Sequence, residues 1–165
     1  DMNNGVYIDE DLQNASPTDI CIGVAGYPEK HFTAPNLKND LKWLKMKVDM
    51  GADYIVTQMF FDNQKYFDFV EKCEKEGINV PIIPGIKPIT TKKQISVLPR
   101  FFHIDLPEDL ADAIEGSKDN KQAKEIGVEW CVQQSKELME YGVPVLHYYS
   151  MGKSDPVYQI AKELF

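Results

Sequence analysis

Four short apolar runs, each followed by a helical pattern, restrict the fold of this chain more than any other feature. The second run, Tyr54-Ile-Val-Thr, is short and rich in β-branched residues, which is typical of a strand buried on both faces. The other runs cover residues 20–26, 80–86 and 145–149. Because repeated βα units are joined by right-handed crossovers, they form parallel sheets. The alternation therefore predicts an α/β protein with four parallel strands.

The helical patterns between these runs have recognisable faces and ends. Apolar residues at spacings of four, three and four predict a first helix that ends at Gly51; they are Leu37, Leu41, Leu44 and Val48. A second helix is predicted at residues 64–76, with Phe67, Val70 and Cys73 buried and Gly77 as its cap.

The second half of the chain contains four more predicted helices. A short one, capped by Thr90 or Thr91, carries Gln94 and Leu98 and ends at Pro99. Another begins at Pro107, and a long helix covers residues 121–141 with Gly142 after it. In the last helix, Asp155 and Pro156 are predicted as the N-cap and N1 residues.

Length and strand count favour half of a closed barrel. An eight-stranded (βα)8 TIM barrel takes about 250 residues, whereas this chain has 165. We therefore predict four βα units plus an extra helix, with residues 1–19 as a connecting segment from a missing amino-terminal half and residues 20–165 as the carboxyl-terminal half. A small open sheet is the alternative, but the chain lacks a Gly-x-Gly-x-x-Gly phosphate turn.

Composition excludes several classes of function. A net charge of -8 argues against partners such as nucleic acid or an anionic membrane. No apolar run approaches the length of a membrane span. Cys21, Cys73 and Cys131 are too far apart for a zinc motif or a disulfide framework, and no other cluster has metal-ligand spacing. These features predict a cytoplasmic protein without a metal site.

Polar residues stand directly after the predicted strands, where α/β folds carry their ligand chemistry. They are Tyr27, Glu29, His31, Gln58, Lys87, Tyr149 and Lys153. Gln58 is a site candidate, or its amide holds the next loop. Lys87 forms a Schiff base if it is desolvated, and is otherwise a solvated surface lysine. His31 either donates a hydrogen bond to a phosphate or acts as an acid; the alternative is that its side chain is only exposed on a loop.

Two residues of the first predicted helix, Asp40 and Lys47, also form a candidate site. They lie seven residues apart, which is about 10.5 Å along the helix axis, and are therefore too distant to form an ion pair. Their spacing suits an elongated ligand lying along the helix, or else they belong to an ordinary solvated face. No carboxylate within the strands is an obvious buried general acid.

Several segments in order resemble one enzyme family. They are residues 26–31 (Gly-Tyr-Pro-Glu-Lys-His), 40–53, 55–62 (Ile-Val-Thr-Gln-Met-Phe-Phe-Asp), 82–89 (Ile-Ile-Pro-Gly-Ile-Lys-Pro-Ile) and 147–153 (His-Tyr-Tyr-Ser-Met-Gly-Lys). From about Ile20 onwards, the chain resembles the carboxyl-terminal half of methylenetetrahydrofolate reductases.

The resemblance implies a fold, a reaction and a set of site residues. The family uses FAD and NADH or NADPH in a (βα)8 barrel to reduce 5,10-methylenetetrahydrofolate to 5-methyltetrahydrofolate, a step of one-carbon metabolism. By position, the FAD-binding residues would be Ala25, Tyr27, His31, Asp40 and Lys47. The folate-binding residues would be Gln58, Gln94, Leu98, Tyr149 and Lys153, with Gln58 also near the nicotinamide. Lys153 replaces a common arginine, and Leu98 replaces an aromatic residue of some members.

The resemblance also implies what this chain lacks. The family's catalytic acidic residues belong to the first four strands, so no catalytic residue is expected within these 165 residues. We expect the fragment alone to be inactive and the intact protein to be a homo-oligomer. Two alternatives remain open, namely a Schiff-base lyase that uses Lys87 and a non-enzymatic association module that pairs through exposed sheet edges.

Overall fold

The computed structural model describes residues 2–9 and 11–165. Asp1 and Glu10, which belong to the predicted connecting segment, lie outside the described residues. The strands are β1 (Gly23–Gly26), β2 (Tyr54–Thr57), β3 (Ile82–Ile83), β4 (Gly85–Ile86) and β5 (His147–Tyr148). Each observed pairing is parallel, joining β1 to β2, β2 to β3, and β4 to β5. The predicted α/β class with parallel sheets is therefore confirmed.

Pro84 divides the third predicted strand into two short strands. β3 pairs with β2, and β4, only one residue further on, pairs with β5. Proline has no N–H to donate to a ladder, but the Pro84 carbonyl still accepts from the His147 N–H at 3.0 Å. The segment thus places the four predicted strands side by side in chain order.

Helices follow each strand region. They are α1 (Leu37–Asp49), α2 (Asn63–Lys75), α3 (Gln94–Phe102), α4 (Glu108–Glu115), α5 (Asn120–Tyr141) and α6 (Ser154–Leu164), and a short 3-10 turn covers Met2–Asn4. The side chains of Asn36, Asp62 and Asp119 cap α1, α2 and α5 by accepting backbone N–H groups. Gly77 and Gly142 follow α2 and α5 with positive φ, as the sequence predicts.

Two predicted helix ends are wrong. Pro99 lies inside α3, which continues to Phe102, since Ile95, Leu98 and Phe102 pack into one apolar cluster that offsets the missing hydrogen bond. At the start of α6, Lys153 is the N-cap residue and Asp155 lies in the first turn. Asp155 forms an ion pair with Lys124 of α5 instead of capping α6.

The core consists of two apolar clusters. One lies between the β1–β3 sheet and helices α1, α2 and α5, and includes Ile55, Tyr66 and Phe69; the other lies around α3, α4 and the start of α5. On α2, Phe67 and Val70 are only partly buried, because Tyr66 points inward and donates to the Ile82 carbonyl at 2.7 Å. The predicted face of α2 is therefore rotated, although Cys73 is buried as expected.

The expectation that β2 is buried on both faces is wrong. Ile55 and Thr57 are buried, whereas Tyr54 and Val56, which point to the other face, are half-buried. The helices cover only one face of this sheet, so alternate residues remain partly accessible. Among the helices of the described chain, none is both long and apolar enough to cross a membrane.

Candidate functional site

Four predicted site residues stand directly after the ends of parallel strands. Tyr27 follows β1, Gln58 follows β2, Lys87 follows β4 and Tyr149 follows β5. Two hydrogen bonds link these ends, from the Gln58 N–H to the Gly26 carbonyl at 2.8 Å and from the Tyr149 hydroxyl to the Thr57 carbonyl at 2.9 Å. The fold thus brings the four residues to one edge of the sheets, where parallel strands carry ligand sites.

The five residues matched to FAD-binding positions form one patch beside the end of β1. Asp40, which is 9% exposed, accepts from the His31 N–H through Oδ2 at 2.9 Å. Lys47 donates from Nζ to the Ala25 carbonyl at 3.2 Å. The rings of Tyr27 and His31 meet edge to face with centroids 4.6 Å apart. Burial, and then the charge of Asp40, raise the pKa of Tyr27.

Asp40 and Lys47 hold different parts of this patch. Asn36 begins α1 and places Asp40 in the first turn, where its carboxylate fixes the loop that carries His31. Lys47 lies two turns later and is exposed. The interpretation of both residues as an ordinary solvated face is therefore wrong for Asp40.

Gln58 is both a loop anchor and a candidate contact residue. Its Oε1 accepts from the Met59 N–H at 3.0 Å, which is the loop-holding role considered from sequence. The side chain is half-buried at the strand end. With its carbonyl oxygen engaged, the amide presents Nε2 as a donor.

The predicted threonine cap of α3 is wrong, because Gln94 is the hydrogen-bond acceptor. Instead of Thr90 or Thr91 accepting from the helix, Gln94 Oε1 accepts from the N–H groups of Thr90 at 2.6 Å and Thr91 at 3.1 Å. The Thr90 hydroxyl donates to the same oxygen at 3.2 Å. The long amide reaches back over the turn, so a threonine cap is unnecessary and Nε2 again remains as a donor.

Three of the five predicted folate-binding residues, together with Lys87, line a cavity of about 190 Å³. Its lining includes Lys87, Gln94, Tyr149 and Lys153. Leu98 is not in this lining; it is 2% exposed and packs in the second apolar cluster, so its ligand role stays a prediction.

Lys87 is a buried residue, and the surface-lysine alternative is therefore wrong. Its side chain is 4% exposed because the residue continues β4 into the interior. Burial is the main cause that lowers the pKa of Lys87. Cys131 acts in the opposite direction, and the nearby charge of Lys153 lowers the pKa further.

A second crevice joins three of the predicted strand-end residues to a residue that the sequence did not connect with them. It is lined in part by Tyr27, Glu29, Gln58 and His103. Glu29 Oε2 accepts from the Asp105 N–H at 2.8 Å, and Asp105 lies 3.6 Å from the Lys65 ammonium. Glu29 and Asp105 are 76 residues apart, so no local pattern signals this contact.

Glu29 predicts a specific dependence of stability on pH. Burial is the main cause that raises the pKa of Glu29 from 4.5 to about 7. Because the folded pKa exceeds the unfolded value, the stabilising contribution is complete below pH 4.5 and is lost as pH rises through about 7. Glu29→Gln keeps an acceptor for the Asp105 N–H, so we expect its stability relative to wild type to increase over this range.

Urea unfolding at pH 4.5, 6 and 8 would measure this effect for Glu29→Gln. Glu125→Gln, at an exposed position of α5, is the matched control and should show a smaller change with pH. A difference between Glu29→Gln and wild type that stays constant across the three pH values would contradict the prediction.

Comparison with known proteins finds relatives of one enzyme family. The family model described as methylenetetrahydrofolate reductase matches residues 9–165. A probable methylenetetrahydrofolate reductase (NADPH) of Caenorhabditis elegans is 37% identical, over 87% of this chain and 22% of the relative. Methylenetetrahydrofolate reductase (NADH) 1 of Arabidopsis thaliana is 39% identical, over 79% of this chain and 24% of the relative.

A bacterial relative and a solved structure extend the comparison. The 5,10-methylenetetrahydrofolate reductase of Buchnera aphidicola is 36% identical, over 86% of this chain and 49% of the relative. A Clostridium thermocellum protein, described as binding two copies of 5-methyl-5,6,7,8-tetrahydrofolic acid, shares the fold with a TM-score of 0.65 and 21% identity, covering 88% of this chain and 54% of that one. This chain thus spans between about a quarter and a half of the curated relatives' lengths, and it belongs to the methylenetetrahydrofolate reductase family.

Proposed function

We propose that the protein containing this chain reduces 5,10-methylenetetrahydrofolate to 5-methyltetrahydrofolate with FAD and NADH or NADPH. The observation that carries the proposal is the alignment of Tyr27, Gln58, Lys87 and Tyr149 at the ends of parallel strands in a chain of this family. The names of relatives that specify NADPH or NADH support a nicotinamide donor. A cytoplasmic location is part of the same proposal.

The patch beside β1 suits a flavin nucleotide in shape and charge. Ala25 is exposed on β1 and carries only a methyl group, whereas the Tyr54 ring covers the position of Gly23. Lys47 is exposed and makes no ion pair within the described residues. Its ammonium is therefore available to a diphosphate, while Tyr27 and His31 would line the patch and Asp40 would hold the His31 loop.

When bound, FAD would supply hydride transfer between the nicotinamide and the folate. The described residues would orient the folate. Gln58 and Gln94 each have their side-chain oxygen engaged by backbone N–H groups, so their Nε2 atoms would donate to acceptors of the pterin. Tyr149 and Lys153 would form the far wall, and buried Leu98 would support it from beneath.

The proposal includes a complete (βα)8 barrel formed with a complementary half. Within the described chain, β1 pairs only with β2 and β5 pairs only with β4, so both outer strands have an open edge. Parallel strands in chain order with helices on one face fit half of a barrel. The complementary strands would carry the catalytic acid, and the intact protein would form a homo-oligomer.

Purification of the intact protein tests this function directly. We expect it to contain flavin, to oxidise NADH or NADPH with menadione, and to reduce methylenetetrahydrofolate. The proposal is abandoned if the protein lacks flavin and still fails to oxidise either nicotinamide after FAD is added.

The environment of Lys87 favours a second candidate, a Schiff-base lyase. Lys87 is buried and lines a cavity, and its pKa is lowered, as the nucleophile of such an enzyme requires. Borohydride treatment with carbonyl substrates would trap an adduct on Lys87 if this candidate is right. A flavin-containing protein without such an adduct would favour the reductase.

The open edges predict the behaviour of residues 1–165 as an isolated polypeptide. We expect weak or no FAD binding, no reductase activity, and either self-association or a need for the complementary half, because exposed strand edges pair with other chains. Sedimentation combined with a flavin titration measures both properties. A monodisperse monomer that binds FAD tightly would show that the complementary half is unnecessary, and the half-barrel proposal would then be wrong.

A further inference from the structure

Lys87 is a buried lysine without a counter-ion among the residues that the structure describes. Its side chain is 96% buried, and it takes part in none of the ion pairs between described residues. Removing an ammonium from water without pairing it costs free energy. Lys87 also lines the 190 Å³ cavity, so its small accessible part faces a space that a ligand can enter.

The lining of this cavity, as formed by the described residues, carries positive charge and no negative charge. Lys153 contributes a second ammonium, and no aspartate or glutamate belongs to the lining. Asp155, two residues further on, is engaged by Lys124 and does not neutralise the pair. The two lysines repel each other, and the charge of Lys153 lowers the pKa of Lys87.

The start of α6 faces the same cavity. Pro156 and Val157, in the first turn of this 11-residue helix, belong to the lining, and Lys153 provides no side-chain cap. A helix N-terminus favours negative charge, because its first N–H groups lack partners within the helix. The hydroxyl groups of Thr91 and Ser150 complete the polar wall, whereas the Thr90 hydroxyl already donates to Gln94.

We propose that Lys87 and Lys153 together bind an acidic group with two or more anionic oxygens, and that Lys87 determines the preference for it. The identity of the ligand rests on the proposed function, since the glutamyl carboxylates of a reduced folate and the phosphates of NAD(P)H share this chemistry. The cavity volume suits one such group and is too small for an entire cofactor, which typically needs about 300 Å³ or more.

Three variants of the intact protein separate this site from a general charge effect. Lys87→Met removes the charge and fills the same buried space, and Lys87→Arg keeps the charge. Lys93→Met is the matched control, because Lys93 is an exposed lysine six residues further along and does not line the cavity. Without ligand, Lys87→Met should melt at the same or a higher temperature than wild type, since Lys87 has no ion pair with the described residues for the substitution to break.

Calorimetric titration with 5-methyltetrahydrofolate, a tetrahydropterin without the benzoylglutamate, NADH and NADPH identifies the acidic group. For the ligand whose acid binds here, Lys87→Met should weaken affinity by about 10- to 100-fold. Lys93→Met should leave it within about twofold, and Lys87→Arg should retain most of it. A loss of affinity confined to 5-methyltetrahydrofolate assigns the site to the glutamyl tail of the folate. A loss of affinity confined to NADH and NADPH assigns it to their phosphates. The affinity for the tetrahydropterin should be unaffected.

Inorganic phosphate provides a test that does not depend on the proposed reaction. Phosphate should raise the melting temperature of wild type and Lys93→Met but not of Lys87→Met. If the protein binds neither folate nor nicotinamide and still shows this protection, the reductase function fails and the cationic site stands. The proposal is overturned if Lys87→Met binds every probe as wild type does, or if Lys93→Met loses as much affinity.

Discussion

Gln58→Glu in the proposed intact reductase is expected to lower kcat/KM for folate reduction by more than about tenfold, the effect of losing roughly 1.4 kcal/mol. Glutamate keeps the oxygen that accepts from the Met59 N–H at 3.0 Å, so the loop anchor is retained. What it loses is the Nε2 donor, which it replaces with a negatively charged acceptor. The change therefore isolates ligand contact from loop positioning.

Steady-state kinetics with varied folate would measure this loss, and Gln133→Glu provides the matched control. Gln133 is exposed on α5, so the same chemical change there should leave the kinetics within about twofold. Unchanged folate kinetics in Gln58→Glu would remove Gln58 from the site and leave only its role in holding the loop.

Gly127→Ala is expected to destabilise the protein by about 3 kcal/mol or more, because the added methyl group would overpack the core. A Cβ at this position would lie 2.0 Å from the Ile89 carbonyl oxygen and 2.7 Å from its carbonyl carbon. In an unconstrained helix the same substitution stabilises by about 1 kcal/mol. The contact with backbone atoms therefore reverses the sign of the effect.

Urea unfolding of Gly127→Ala should be compared with that of Gly51→Ala. Gly51 has φ of +105° but open space around it, so its substitution reports backbone strain alone, of about 1–2 kcal/mol. The segment after Ile89 carries Thr90 and Gln94, and a shift there would also weaken ligand binding. A Gly127→Ala protein as stable as wild type would show that α5 and this segment do not approach so closely.

Local sequence patterns were sufficient to predict the order of the strands and most helices. The Tyr54-Ile-Val-Thr strand, Gly77 and Gly142 after their helices, and the alternation that requires parallel pairing all depend on residues close together in the chain. Because such patterns act over one or two turns, they remain visible without tertiary contacts. They also placed Tyr27, Gln58, Lys87 and Tyr149 after strands, and the ordered motifs identified the family that the comparisons confirm.

Tertiary packing decided which side chains are buried and which polar groups meet. The inward position of Tyr66, the continuation of α3 through Pro99 and the burial of Lys87 each depend on elements that pack from elsewhere in the chain. The contact of Glu29 with the Asp105 backbone has the same origin. Burial and pKa are properties of a residue's whole surroundings, whereas periodicity reports only its own helix or strand. The residue types at the strand ends therefore followed from sequence, but the burial of Lys87 without an ion pair to any described residue is visible only when the helices and strands are packed together.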